Sequence, residues 1–137
     1  MTFQTDHTKR RIFKYELEVK PRQPVWMPKG AIILSFGRQG PLPYLWVSVD
    51  EKQPLEMRWF RMVTTGEVFN GEYLEFVGHL ALGGGIEPWY QAFLYEIEIG
   101  AETLNPDPIS DRFLDDMAEA QREIVDAVAT DRKLVAA

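Results

Sequence analysis

Phe13-Lys14-Tyr15-Glu16-Leu17-Glu18-Val19 alternates large apolar side chains with charged ones for seven residues. A strand with one buried face reads this way, because its side chains point to opposite faces at a period of two. Outward from this stretch, runs rich in β-forming residues follow at 31–36, 44–49, 55–64, 73–82 and 89–99. A short extended piece at 25–27, held between Pro24 and Pro28, reads as a seventh strand at a sheet edge, where the missing proline N–H is tolerated. Gly37-Arg38-Gln39-Gly40-Pro41, Asp50-Glu51-Lys52-Gln53-Pro54 and Asn70-Gly71 carry turn chemistry and read as hairpin connections. Six or seven short strands joined by tight turns predict a mainly β fold, an antiparallel sandwich or small barrel.

The period changes after Gly100. Asn105-Pro106-Asp107-Pro108 is a stiff linker that cannot continue a strand, and Ser110 suits the N-cap of a helix. Phe113, Met117, Ala120, Ile124 and Val128 then recur at spacings of four, three, four and four, the stripe of an amphipathic helix. Asp111, Asp115 and Asp116 fall in its first turns and Arg132 and Lys133 in its last, each sign at the end of the macrodipole that it stabilises. A helix over 110–134 would be about 36 Å long at 1.5 Å per residue. That exceeds the width of a small β body, so the helix is expected to overhang it or to meet a second copy as a homodimer. The expected organisation is a flexible N-terminus (1–9), a β domain (10–100), a proline-containing linker (101–109) and an acidic helix (110–137).

Charge follows the same boundary. The chain of 137 residues has a formal net charge of −6. Nine acids and four bases lie after Gly100, a balance of −5, which leaves −1 for the first hundred residues. This charge argues against a protein that coats nucleic acid or an anionic membrane. No apolar run reaches the roughly 18 residues of a membrane span, and the first residues lack the apolar core of a secretory signal, so a cytoplasmic location is expected.

The residues that carry chemistry are few. Cysteine is absent, and the two histidines, His7 and His79, are too far apart to suggest a zinc site, so no metal or cofactor is expected. His79 sits within a strand and reads as half-buried, with its ring nitrogens satisfied locally. Gly83-Gly84-Gly85 leads into another strand, where an anion-binding loop would lead into a helix, and reads as a wide turn. Glu96 and Glu98 project to one face of the last strand and read as a solvated face. No catalytic constellation emerges.

Aromatic residues stand out instead. Along 44–49, Leu45, Val47 and Val49 face one way and Tyr44 and Trp46 the other. Along 89–97, Trp89, Phe93, Tyr95 and Ile97 oppose Tyr90, Ala92 and Leu94. A strand apolar on both faces is covered on both. The second cover is expected from the C-terminal helix, a second subunit or a partner protein, since tryptophan and tyrosine are enriched at interfaces. The candidate interface residues are Tyr44, Trp46, Trp59, Trp89 and Tyr90 on the body. On the helix they are Phe113, Met117, Ile124 and Val128 with the acids Asp115, Asp116, Glu119 and Glu123. Two other readings are a pocket for a small molecule or nucleotide and base stacking of a single-stranded nucleic acid. The latter would draw cations from Lys9, Arg10, Arg11, Lys14, Arg58 and Arg61, a modest set against the negative field.

Four segments carry a resemblance: Arg10-Arg11-Ile12-Phe13-Lys14-Tyr15-Glu16-Leu17-Glu18-Val19, Met27-Pro28-Lys29-Gly30-Ala31-Ile32-Ile33-Leu34-Ser35, Leu45-Trp46-Val47-Ser48-Val49-Asp50 and Tyr73-Leu74-Glu75-Phe76-Val77-Gly78-His79-Leu80. In this order they resemble a family of small, functionally uncharacterised domains encoded by tailed phages and prophages, over about residues 10 to 98. The shared motifs are structural. The resemblance implies a protein in the host cytoplasm that binds a host or phage protein, including components of antiviral defence, and the missing catalytic constellation leads to the expectation that it is not an enzyme.

Overall fold

The computed structural model describes residues 9–83 and 90–104. It holds seven strands: β1 (Arg11–Glu16), β2 (Arg22–Pro28), β3 (Ile32–Gln39), β4 (Leu42–Val49), β5 (Leu55–Thr64), β6 (Leu74–Leu82) and β7 (Tyr90–Ile97). They form two antiparallel sheets, three strands in the order β1-β4-β3 and four in the order β2-β5-β7-β6. One buried cluster draws on both sheets, with Leu45, Val47 and Val49 from β4, Phe60 and Met62 from β5, and Ala92 and Leu94 from β7. Two sheets packed over one core make the sandwich, one of the two architectures expected.

The opening stretch keeps its alternation of burial through Val19, although its ladder with β4 ends at the Glu16–Tyr44 pair. Leu17 and Val19 are buried beyond the strand, where the chain crosses from one sheet to the other. Gln23 secures this crossing. Its side-chain amide donates to the Glu18 carbonyl at 2.6 Å and accepts from the Glu18 N–H at 2.8 Å, so a buried side chain stands in for a strand neighbour. The piece between the two prolines is β2, at the edge of the four-stranded sheet.

Two connections differ from expectation. Gly40-Pro41 does join neighbours, β3 and β4. The 50–54 turn instead passes between sheets, and 65–73 joins β5 to β6 across the intervening β7, so neither closes a hairpin. Their turn chemistry is as the residues require: the Asp50 carboxylate accepts from the Lys52 N–H, and the Asn70 side chain from the Glu72 N–H. Such motifs reverse the chain without specifying which strand it meets.

Tyr15 packs against the core, and burial pushes its phenol above the ordinary tyrosine pKa. The folded state therefore holds this proton more tightly than the unfolded state does. Stability from this source is intact below about pH 10 and lost as pH rises through the folded pKa. Urea midpoints measured from pH 8 to 11.5 should fall at the alkaline end, and Tyr15→Phe should flatten that fall.

Among the described residues no helix is long and apolar enough to cross a membrane. The helix expected over 110–134 lies outside the described residues, as do Trp89, Phe113, Met117, Ile124, Val128, Asp115, Asp116, Glu119 and Glu123.

Candidate functional site

Strands β3 and β6 are the edges of different sheets, and they run beside each other without forming a ladder. Each is interrupted by a β-bulge, β3 between Ile33 and Ser35 and β6 between Phe76 and Gly78, which leaves Leu34 and Val77 as the extra residues. Bulges bend and twist an edge and break its pairing pattern. The seam is tight at one end, where Arg38 Nη1 donates to the Ala81 carbonyl at 3.4 Å. There a Cβ built on Gly78 would lie 3.3 Å from Cβ of Phe36, so glycine permits the approach of the two edges.

At the other end the seam widens into two adjoining depressions of about 350 and 590 Å³ that share Arg58, Glu75 and Glu96. Arg58 lies on the floor, bidentate to Glu96 through Nε at 2.6 Å and Nη2 at 2.7 Å. Its remaining nitrogen, Nη1, donates to the Ala31 carbonyl at 2.6 Å, just before β3. One guanidinium thus ties β5 to β7 and to the other sheet, with the pair's side chains only 12% and 14% exposed. The hydrogen bond to Glu96 holds the Arg58 pKa above its usual value against the opposing effect of burial, and the nearby charges of Glu96, Glu56 and Glu75 act in the same direction as that bond.

The rim is apolar. Ile32, Leu34, Tyr73, Phe76 and Ile99 line these depressions, five of the ten large apolar side chains that stand exposed among the described residues. Tyr73 is the only described non-glycine residue with positive φ, at 62°, a conformation that costs a side-chain-bearing residue about 1–2 kcal/mol. Its carbonyl accepts from the Glu98 N–H at 2.8 Å, which extends the β6–β7 pairing past the strand end. The floor holds carboxylates and a guanidinium that is bonded at every nitrogen. Among the described residues no group of three His, Asp or Glu side chains is placed to hold a metal. Such a surface can bind by shape, apolar contact and charge.

The aromatic residues singled out in the sequence lie elsewhere. Tyr44 and Trp46 are half-buried neighbours on the outer face of the three-stranded sheet, with ring centroids 5.9 Å apart. The Lys14 ammonium sits 4.7 Å from the Tyr44 ring centroid and also bonds Gln39. Trp59 is half-buried in the other sheet, opposite Ile97 and beside Pro24. Tyr90 belongs to the core, 8% exposed, in phase with Ala92 and Leu94, so the body itself covers it. His79 is exposed rather than half-buried; it stacks on Phe93 with centroids 4.8 Å apart and bonds Gln91 at 2.9 Å. The structure does not gather these residues into one site.

Arg58 and Glu96 pair with each other on the floor of the seam, where the sequence set Arg58 among cations for a nucleic-acid backbone and Glu96 on a solvated face; the Glu96 side chain is only 14% exposed. A signal for Glu96 existed, because it lies two and four residues from the buried Leu94 and Ala92 and so falls on the core-facing side of β7. A carboxylate in that phase needs a partner.

Residues 8–93 match a family described as "Domain of unknown function (DUF7352)". The match takes in β1 through β6 and the first half of β7, and so includes Arg58 and Glu75 while stopping short of Glu96. No curated protein matches the chain, and no solved structure does.

Proposed function

We propose, from the premise that the chain belongs to the DUF7352 family of domains of unknown function, that it works without catalysis by holding a partner protein in the seam between β3 and β6. The observation that carries this reading is the convergence of half the exposed large apolar side chains among the described residues on one charged, concave strip. Exposed apolar surface gathered in one place marks interaction sites, whereas scattered apolar residues are ordinary. The resemblance of residues 10–98 to tailed-phage and prophage domains supports a partner drawn from the infected host or the phage, with an antiviral defence component as the target class. In this reading the acidic amphipathic helix expected from the sequence over 110–134 would add a second contact surface, and its apolar stripe would join two copies.

The nucleotide and single-strand readings find less support at the seam. Three carboxylates, Glu75, Glu96 and Glu98, face one guanidinium that is already engaged, which disfavours a phosphate there.

The test is affinity purification of the tagged full chain from host cells. Ile32→Asp with Phe76→Asp should abolish recovery of a partner that the wild type retains, while Ile12→Asp on another face should leave it intact. Equal recovery by the seam variant would remove the seam from the account.

A further inference from the structure

We infer that the segment received by the seam is basic and apolar: an extended stretch of partner chain that sets a lysine or arginine against Glu75 and Glu98, and a neighbouring apolar side chain among Ile32, Leu34 and Phe76. This rests on the partner-binding reading and adds the chemistry of what is bound.

Charge carries the first half of the argument. Glu75 lies directly across the ladder from Glu96, and Glu98 follows Glu96 at the spacing that returns a side chain to the same face. Three carboxylates therefore crowd one patch at the β6–β7 end, where like charges opposite one another repel. Arg58 bonds only Glu96 among the three and acts on Glu75 by charge alone, because its nitrogens are taken by the Glu96 carboxylate and by the Ala31 carbonyl. Neither Glu75 nor Glu98 forms an ion pair with any described residue. An incoming ammonium or guanidinium would relieve the remaining repulsion, whereas an acidic segment would add to it.

Shape carries the second half. The bulge at Leu34 leaves that side chain exposed on the β3 edge, and Phe76, whose ring packs edge-on against Tyr95 with centroids 5.5 Å apart, stands exposed beside the β6 bulge; both line the depression that shares Glu75 and Glu96 with the one lined by Glu98. A segment with alternating side chains satisfies both, since an extended chain places an apolar and a basic group on neighbouring positions.

The probe is a fluorescein-labelled decapeptide of alternating lysine and valine, measured by fluorescence anisotropy with the full chain at low and high salt. An alternating glutamate–valine decapeptide serves as its counterpart. The lysine peptide should bind, weaken as salt screens the carboxylates, and lose affinity at least tenfold with Glu75→Gln/Glu98→Gln. Glu16→Gln/Glu51→Gln removes the same charge away from the seam and should change affinity less than twofold. Equal loss in both variants would reduce the effect to attraction by net charge and overturn the inference, as would failure of the wild type to bind the lysine peptide or equal binding of the glutamate peptide. If Ile32→Asp/Phe76→Asp abolishes partner recovery from cells while Glu75→Gln/Glu98→Gln leaves it intact, the partner reading stands and the basic chemistry falls.

Discussion

Replacing Glu67 with alanine is expected to lower the unfolding free energy by about 3–5 kcal/mol, the usual cost of breaking a buried ion pair from one side. Glu67 and Arg61 have side chains 2% and 0% exposed, and Arg61 Nη2 lies 3.1 Å from Glu67 Oε1. Arg61 alternates along β5 with the buried Phe60 and Met62. The chain after β5 reverses at once: Gly66 takes a φ of +85°, and Glu67 donates its N–H to the Thr64 carbonyl at 3.2 Å. The second carboxylate oxygen accepts from the Thr64 N–H at 3.2 Å, and Arg61 Nη1 donates to the Met62 carbonyl at 2.7 Å. Glu67→Ala thus removes a counter-charge and a turn acceptor together. For a chain of this size the melting temperature should fall by about 10–15 °C, measurable by circular dichroism. Arg61→Met/Glu67→Leu should recover most of that loss, because two apolar groups of similar volume bury no charge. A single-variant loss below about 1 kcal/mol would mean that water reaches the pair in solution.

Much of the sandwich was legible because period-two patterning needs no partner to be read. Burial alternates along 13–19 as the side chains do, and Pro24 and Pro28 placed β2 at an edge before any neighbour was known. Sheet membership was not legible. The Asp50 and Asn70 turns use the same side chain to backbone bonds whether the next strand is a neighbour or lies in the other sheet. The insertion of β7 between β5 and β6 depends on which apolar faces meet, a property of the whole core. The site was hidden for the same reason. Arg58 and Glu96 are 38 residues apart, and only the β5–β7 ladder, which pairs Phe60 with Glu96, brings them together. The aromatic surplus misdirected attention, since Tyr90 shares the phase of Ala92 and Leu94 and fills the core, and Tyr44 and Trp46 cover each other on a separate face.

Arg58→Ala is expected to be the second large loss, about 3 kcal/mol, toward the lower end for a buried pair because its two side chains retain slight exposure. The substitution leaves the Glu96 carboxylate facing Glu75 across the ladder with no counter-charge, and it strands the Ala31 carbonyl, which receives the third guanidinium nitrogen. Lysine should rescue little, because a single ammonium cannot reproduce a planar fork that meets two carboxylate oxygens while reaching a carbonyl of the other sheet. The damage should also be local in a diagnostic way. Arg58 is the described tie between the floor of the seam and the start of β3, so amide hydrogen exchange at 31–33 should accelerate beyond the change set by global stability, while the Arg38–Ala81 end keeps its relative protection. Uniform acceleration across both sheets would show that Arg58 contributes to overall stability without holding the seam in shape. Localised acceleration would mean that the groove geometry depends on one side chain, and binding to the seam would then be lost in Arg58→Ala even at temperatures where the sandwich stays folded.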